Sequence, residues 1–284
     1  MFFNFIKKLL GLLGSVYILG VISGVFFTPA FNESNPTLDK DSEIQFQQAT
    51  LGNFKVNYAE EFRVIEYLVR EIFALQEYYF DSETDAPFIV DCGSNIGLSI
   101  MYFKMIYPNA KIIGFEADEK TFKVLDRNVH DNTLTDVTIY NKAVTNEKGQ
   151  IHFFYNDGNS GLGSILGEQA DVLPLEKTVE ADTLSSYINQ PVDCLKLDIE
   201  GAETGVLEDL HKNNKLHFIK RIVMEFHQNI SNSKNSLAKF LSILEENNFN
   251  YVIENDGPMD FSRRLSPKIK NKHQNLCIYA CQNT

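Results

Sequence analysis

Acidic side chains that could bind a charged or hydroxylated ligand follow several apolar runs of this 284-residue chain. Asp91 follows the run 87–90 and opens a turn with the sequence DCGSNIG, and Glu116 follows the run 111–115. Glycines in such a turn let the backbone approach a ligand closely, and carboxylates accept hydrogen bonds from ammonium and hydroxyl groups. The turn and Glu116 therefore predict one ligand with a positive group near Asp91 and hydroxyl groups near Glu116.

Two nucleotide cofactors bind at glycine-rich turns between a strand and a helix. A nicotinamide cofactor requires the spacing Gly-x-Gly-x-x-Gly, which places helix amides against a pyrophosphate. Here Ser94 and Asn95 interrupt that spacing, and Asp91 would repel a phosphate but suits the ammonium group of a methionine moiety. The turn therefore favours S-adenosylmethionine over NAD. The predicted cofactor contacts are Asp91, Gly93, Asn95 and Gly97 in the turn, Glu116 for the ribose, Ala143 for the adenine edge, and Asp198.

A second group of polar side chains follows the fourth and fifth apolar runs. Asp198 ends the run 192–197, while Glu225 and His227 lie two residues apart on one strand, so both side chains point to the same face. Methylation of an alcohol requires a group that accepts its proton, and histidine titrates near neutral pH. We predict His227 as the general base, Glu225 as the carboxylate that orients it, and Asp198 near the transferred methyl. A structural, hydrogen-bonding histidine is the alternative.

A metal site is another interpretation of the same residues. Asp198, Glu200, Glu203, Glu225 and His227 would form an oxygen-rich set with one imidazole, which suits hard cations. Glu203 could instead stabilise the start of the following helix through its charge. Because carboxylates at strand ends often have other uses, we predict no metal. The four cysteines lack the paired spacing of a zinc site.

These residues must be positioned by parallel strands whose carboxyl ends meet at one edge of a sheet. Short apolar runs alternate with helical segments, which is typical of βαβ units. An apolar stripe predicts a helix at about 59–79. Strands are predicted at 87–91, 111–115, 136–140, 192–197, 219–226, 249–253 and 275–281. An extra strand is predicted at 149–156, and a glycine-rich loop at 157–167.

Four ordered motifs resemble those of the FkbM-type methyltransferase family. They are Ile89 to Gly97, Phe115-Glu116-Ala117-Asp118, Leu195 to Glu203 and Met224-Glu225-Phe226-His227. The resemblance covers about residues 60–282, and Ala117 departs from it where the family usually has proline. It implies an α/β class I methyltransferase (Rossmann-like) fold, with a seven-stranded, mostly parallel sheet, an antiparallel last strand and helices on both faces. It also implies O-methylation of a hydroxyl on a sugar or small natural product.

An apolar segment precedes this domain. Residues 9–27 carry no charge, follow Lys7 and Lys8, and are long enough to span a bilayer. We predict a single transmembrane helix within an N-terminal anchor of residues 1–30, a linker at 31–53 and a methyltransferase domain at 54–284. A cleaved signal peptide, which would leave a secreted or lumenal protein, is the alternative. The lysines place the domain outside the cytoplasm, whereas the cofactor is made in the cytosol, so the orientation stays open.

The composition restricts the partners. A formal net charge of −12 disfavours nucleic acid, whose phosphates would be repelled. A neutral or cationic small substrate fits this charge better, and the resemblance implies a small-molecule or glycan hydroxyl acceptor. The apolar N-terminal segment predicts a membrane contact through its helix. The sequence gives no indication of the oligomeric state. Two other functions remain open, an NAD-dependent oxidoreductase and a catalytically silent, membrane-anchored binding protein of the same fold.

Overall fold

The structure is a computed structural model. It describes residues 20–22, 25–27, 31–37, 46–59, 62–155, 175–228, 235–255 and 274–283. The strands are β1 (Gly20–Ile22), β2 (Val25–Phe27), β3 (Phe31–Thr37), β4 (Phe46–Leu51), β5 (Phe54–Tyr58), β6 (Phe88–Cys92), β7 (Lys111–Glu116), β8 (Val137–Asn141), β9 (Ala143–Thr145), β10 (Gly149–Tyr155), β11 (Leu175–Thr183), β12 (Cys194–Leu197), β13 (Arg221–Gln228), β14 (Phe249–Asn255) and β15 (Gln274–Gln282). The helices are α1 (Phe62–Val69), α2 (Leu98–Ile106), α3 (Glu119–Asp131), α4 (Glu203–Lys212) and α5 (Leu237–Glu246), and a π-helical turn over Arg70–Leu75 extends α1.

A seven-stranded sheet of order β14-β15-β13-β12-β6-β7-β8 forms the centre of the fold. The pairs from β13 through β12, β6 and β7 to β8 are parallel, whereas β15 pairs antiparallel with both β13 and β14. This sheet confirms the seven predicted strands and the antiparallel last one. The strand order reverses between β6 and β12, and a ligand in an open α/β sheet binds at such a switch point.

The central strand β6 shows why the sequence forms a covered sheet. Its residues Ile89, Val90 and Cys92 are fully buried. Ile89 packs into one apolar cluster with residues of α2, while Val90 and Cys92 pack into a second cluster that includes residues of α4 and α5. A continuous apolar run is therefore required, because neighbouring side chains enter cores on opposite faces of the sheet.

The N-terminal helix is not confirmed. Residues 20–22 and 25–27 are strands that pair as an antiparallel hairpin, so the predicted continuous helix over 9–27 is wrong for this part, and residues 9–19 lie outside the described residues. Within the described part of the chain, no helix is both long and apolar enough to cross a bilayer. Apolar residues suit a paired strand as well as a helix, and periodicity alone does not separate the two.

The predicted linker at 31–53 is also wrong. It contains β3 and β4, and β4 pairs with both β3 and β5 in an antiparallel sheet. Phe46, Ala49 and Leu51 of β4 are buried in the same core cluster as Ile89. Because these apolar side chains belong to the core, the folded domain includes β4, eight residues before the predicted boundary at Phe54.

The helix predicted at 59–79 is confirmed over α1 and its π-helical extension. Its apolar stripe is buried at Ile65, Val69, Ile72 and Phe73. The helix ends at Gln76, which has a left-handed backbone with φ of 58°. The stripe therefore packs α1 onto the domain at the cavity described below.

A second small sheet is attached beside the central one. The predicted extra strand is β10, which pairs antiparallel with β11, and β11 pairs in parallel with β9. The glycine-rich loop predicted at 157–167 lies outside the described residues. The sheet β10-β11-β9 reaches the cavity through β9, directly after β8.

Candidate functional site

A cavity of about 530 Å³ lies at the carboxyl ends of β6, β7 and β12. Small-molecule sites commonly have volumes of roughly 300–1,000 Å³. Six of the predicted cofactor and catalytic residues line it, namely Gly93, Asn95, Glu116, Ala143, Asp198 and Glu225. The described residues that line it do not include the other three, Asp91, Gly97 and His227. The predicted set therefore divides into a layer at the cavity and a layer behind it.

The glycine turn brings two strand ends into contact. A Cβ atom added to Gly93 would lie 1.8 Å from the carbonyl oxygen of Asp198, and Gly93 has φ of +81°. Both facts exclude a side chain, because L-residues rarely adopt this conformation. Asn95 is also left-handed, with φ of 49°. Gly97 precedes α2, and an added Cβ there would meet Leu125 at 2.7 Å. Gly97 thus serves packing at the helix start.

Glu116 fixes the turn and faces the cavity. Its Oε2 accepts the backbone N–H of Asn95 at 2.9 Å, and its Oε1 accepts that of Asp118 at 2.8 Å. Burial raises the pKa of Glu116 to about 7, although the hydrogen bond from Asn95 opposes the shift. Each carboxylate oxygen can accept further hydrogen bonds, so Glu116 could also accept hydrogen bonds from a ligand in the cavity.

Asp91 is fully buried behind the turn. Its Oδ2 accepts the hydroxyl of Ser99 at 2.6 Å, and its Oδ1 lies 3.2 Å from Nζ of Lys196. The predicted contact with an ammonium group of the ligand stays a prediction, and the observed partner of Asp91 is the cation of the protein itself. The Asp91 carboxylate is therefore linked to the turn through Lys196, which donates to the carbonyl of Gly93.

Lys196 was not predicted as a site residue. Its Nζ donates to the carbonyl of Gly93 at 2.6 Å and lies 3.5 Å from Oδ2 of Asp198. Burial alone would lower the pKa of Lys196, but Asp91 and Asp198 raise it above its ordinary value. The sequence did contain a signal for this role. Lys196 interrupts the apolar run CLKL of a buried strand, and a charged residue there needs a buried partner of opposite charge. Lys196 ties the glycine turn to the strand that carries Asp198.

Three carboxylates, those of Asp198, Glu200 and Glu225, line the cavity beyond the glycine turn. The hydroxyl of Tyr78 donates to Oδ2 of Asp198 at 2.9 Å, and Nδ2 of Asn275 donates to Glu225. Glu200 has a left-handed backbone with φ of 52°. Burial raises its pKa to about 7 despite the opposing effect of His227. This end of the cavity is thus acidic, with one carboxylate that titrates near neutral pH.

His227 lies behind these carboxylates and is 5% exposed. Its Nδ1 contacts Oε1 of Glu203 at 2.8 Å, and its Nε2 lies 3.3 Å from Glu200, 3.9 Å from Glu225 and 4.0 Å from Asp198. Burial alone would lower the pKa of His227, but Glu200 and Glu203 raise it well above its ordinary value. The carboxylate that forms a hydrogen bond with His227 is thus Glu203. Glu225, which was predicted to orient His227, lies farther away.

Glu203 holds His227 through a buried network. Its Oε1 also accepts the backbone N–H of Gly201 at 3.0 Å, and its Oε2 accepts Nδ2 of Asn235 at 2.6 Å. Asn235 in turn donates to the carbonyl of His227 at 3.0 Å. Glu203 is the first residue of α4, where a carboxylate also stabilises the helix dipole. Glu203 therefore both stabilises the start of α4 and contacts His227.

At the opposite end of the cavity, small apolar side chains and one phenylalanine form the wall beside Lys142. Ala117 follows Glu116, while Ala143 and Val144 begin β9, and all three line the cavity with Phe153 of β10. Ala143, Val144 and Phe153 are each about 5% exposed. This end could receive a flat apolar ring next to Glu116. Phe153 was not predicted from the sequence.

A family model described as the methyltransferase FkbM domain matches residues 91–251, which include the turn, Glu116, Asp198 and His227. This chain belongs to the FkbM methyltransferase family. S-adenosylmethionine is its cofactor, which confirms the prediction made from the turn. The turn and Glu116 lie within the part of this FkbM-family chain that the family model matches and are its candidate cofactor residues.

Known relatives of this FkbM-family chain share moderate identity with it. Methyltransferase 1 of Beauveria bassiana is 26% identical over 211 residues, which cover 67% of this chain and 83% of that protein. Methyltransferase sdnD of Sordaria araneosa is 27% identical over 192 residues, which cover 56% and 74%. A crystal structure of an FkbM methyltransferase from Methylobacillus flagellatus is 17% identical, with a TM-score of 0.45, and matches 71% of this chain. The match covers 45% of that structure, so this chain spans less than half its length.

Helix α1 of the FkbM-family domain and its π-helical turn form part of the cavity wall. Their apolar contributions are Val64, Leu68 and Ile72, and their charged ones are Arg63 and Glu71. Tyr67 also lines the cavity and is 53% exposed. This wall therefore combines apolar and charged side chains.

A metal ion could be held by Asp198, Glu200 and His227, because one ligand atom from each lies within 4.8 Å of the others. Carboxylates with one imidazole suit hard or borderline divalent cations. Our expectation that this FkbM-family member needs no metal stays a prediction. We expect methyl transfer to continue undiminished after exhaustive treatment with EDTA, measured by release of S-adenosylhomocysteine. A loss that added Mg²⁺ or Mn²⁺ restores would contradict it.

Proposed function

We propose that this FkbM-family member is an S-adenosylmethionine-dependent O-methyltransferase that modifies a hydroxyl of a sugar or small natural product. One observation carries the proposal: Glu116, on β7, and the carboxylates of Asp198, Glu200 and Glu225, after β12 or on β13, line one cavity on the two sides of β6. The first side suits the ribose of the cofactor, and the second suits a hydroxyl that must lose its proton. The net charge of −12 favours a neutral or cationic acceptor over a nucleic acid.

The residues of the chain would act mainly by position. When bound, S-adenosylmethionine supplies an electrophilic methyl group on its sulfonium. Glu116 accepts the ribose hydroxyls, and the close approach of Gly93 lets the ligand lie against the turn. Holding two reactants in line removes much of the entropic barrier to their reaction. Apolar residues of α1 reduce the access of water to the acceptor hydroxyl.

The proton of that hydroxyl would pass to the acidic end of the cavity. The sequence assigned it to His227, and that assignment remains a proposal. Glu200 lines the cavity, whereas the described lining does not include His227, which lies 3.3 Å behind Glu200. We therefore propose that Glu200 accepts the proton directly. His227, with Nδ1 held by Glu203, stabilises the ionised form of Glu200 before the transfer. Asp198 and Glu225 would accept hydrogen bonds from the acceptor.

Cofactor binding provides the first test. We expect S-adenosylhomocysteine to bind in titration calorimetry and NAD to give no heat. Glu116 accepts ribose hydroxyls best when ionised, and its pKa is about 7. Affinity should therefore rise as pH increases from about 6 to 8, by up to about tenfold. Glu116→Gln, a neutral side chain of the same shape, should bind more weakly and lose this pH dependence. Equal affinity of the parent chain and Glu116→Gln for S-adenosylhomocysteine at every pH would contradict the assignment of Glu116.

The second test concerns the acceptor. The protein is incubated with S-adenosylmethionine labelled with tritium in the methyl group and with a panel of methyl glycosides, polyols, phenols, amines, thiols and carboxylic acids. We expect label in an alkali-stable ether of a hydroxyl compound. Label found only in an amine, a thiol or an alkali-labile ester of a carboxylate would overturn methylation of a hydroxyl but leave the transferase in place. Cofactor binding with no transfer to any acceptor class would favour a catalytically silent protein.

A further inference from the structure

We propose that Phe153 of β10 stacks on the adenine ring of S-adenosylmethionine, so that a hairpin outside the seven-stranded sheet completes the cofactor pocket. The inference rests on the proposed function, since it assigns one more contact to the same cofactor. Phe153 lines the cavity and is 5% exposed. It is joined there by the small side chains of Ala117, Ala143 and Val144. Together they form the wall of an apolar slot.

The location of the slot follows from Glu116. Ala117 is the next residue in the chain and also lines the cavity, so the apolar wall lies directly beside the carboxylate of Glu116. In a nucleoside the base is bonded directly to the ribose. A base attached to a ribose at Glu116 therefore lies either in this slot or towards the acidic end. Three carboxylates, those of Asp198, Glu200 and Glu225, line the acidic end, which leaves the slot for a neutral aromatic ring.

Two attachments hold Phe153 at the slot. The hairpin is joined to β9 through the parallel pairing of Ala181 with Ala143. Lys177, which stands opposite Phe153 on β11, forms an ion pair with Asp118 at the start of α3. The same Nζ lies 5.5 Å from the centroid of the Phe153 ring. The ring is thus fixed relative to both strand ends that would border the adenine.

Phe115 is the other aromatic ring at this end, but it is engaged elsewhere. Its ring stacks on Tyr140 at 5.3 Å and meets the edge of Tyr187 at 4.9 Å. Phe153 instead packs with small residues, in a cluster with Ala143, Val179 and Ala181. Stacking of a base on an aromatic side chain contributes affinity independent of hydrogen bonding. Phe153 is therefore the ring available to the adenine.

The test compares matched substitutions on one strand. Phe153→Leu keeps an apolar side chain but removes the aromatic ring, and Phe154→Leu makes the same change at the next residue, whose side chain points to the opposite face of β10. Binding of S-adenosylhomocysteine and of adenosine is measured by titration calorimetry, and thermal unfolding checks the fold. We expect Phe153→Leu to weaken both ligands by about 5-fold to 100-fold. Phe154→Leu should stay within about twofold of the parent chain.

A fluorescence measurement gives a second reading. The chain contains no tryptophan, so Phe153→Trp introduces a single reporter, and Phe154→Trp is its control. We expect S-adenosylhomocysteine to quench the emission of Phe153→Trp and to leave Phe154→Trp almost unchanged. Normal binding by Phe153→Leu would overturn the inference, as would equal quenching in both tryptophan variants, while leaving the proposed function intact. Failure of the parent chain to bind the ligand would instead overturn the proposed function, and the inference with it.

Discussion

Glu200→Gln is expected to lower methyl transfer by about 10²–10⁴-fold, the usual contribution of a general base. The amide keeps the size of the side chain but cannot take the proton of the acceptor. Binding of S-adenosylhomocysteine should stay within about twofold, because Glu200 lies at the acceptor end. The measurement is kcat with the acceptor found in the labelling experiment, beside calorimetry on the same preparation.

The pH profile separates chemistry from structure. The profile is measured at saturating S-adenosylmethionine, so that the titration of Glu116 does not affect it. Since the ionised form of Glu200 is the active one and its pKa is about 7, kcat/KM for the acceptor should rise with pH below about 7 and level off above it. Glu200→Gln should lose this inflection. Glu225→Gln is the matched control, because Glu225 also lines the cavity, and we expect it to keep the inflection with a smaller loss of rate. A Glu200→Gln enzyme with nearly normal kcat, together with an inactive His227→Asn enzyme, would return the role of base to His227.

Gly93→Ala is expected to destabilise the fold by at least about 3 kcal/mol and to abolish cofactor binding. The new methyl group would lie 1.8 Å from the carbonyl oxygen of Asp198 and on a residue with φ of +81°. Neither strand end can yield easily, because all four residues of β12 pair with β6 up to its last residue, Cys92. Urea unfolding gives the change in stability, and calorimetry with S-adenosylhomocysteine gives the change in affinity.

Gly149→Ala is the control for backbone conformation alone. Gly149 also has a positive φ, +122°, but an added Cβ there meets nothing within 4 Å. We expect a loss of about 1–3 kcal/mol from strain, with cofactor affinity retained. If the two alanine variants were equally stable and bound equally well, the close approach of Gly93 to Asp198 would have no role in the site.

The strands and the glycine turn could be predicted because their signals are local. A buried strand such as β6 needs a short apolar run, and Asp91, Glu116 and Asp198 mark the carboxyl ends of three of these runs. The apolar run at 9–27 misled for the same reason, since its apolar character suits paired strands at 20–22 and 25–27 as well as a helix. Strand β4 was missed because only Phe46, Ala49 and Leu51 are buried among polar neighbours, which weakens the alternation.

The partners within the site could not be predicted because they depend on long-range contacts. Glu203 and His227 are 24 residues apart, and the spacing of two on one strand instead favoured Glu225 as the partner. Lys196 belongs to a motif that the sequence identified, but its contacts with Asp91 and Gly93 require the pairing of β12 with β6. Phe153 is on β10, which is held beside the cavity because its partner strand β11 pairs with β9.

The contact between Gly93 and the backbone of Asp198 bears on how such an enzyme could acquire new acceptors. It joins the turn after β6 to the residue that follows β12 through main-chain atoms, and Lys196 adds a second link between the same strands. These links do not involve the side chains of α1. Substitutions at Val64, Tyr67 or Leu68 could change which molecule enters while leaving the line of attack unaltered. Acceptor preference in this enzyme can thus diverge on one helix without rebuilding the site of transfer.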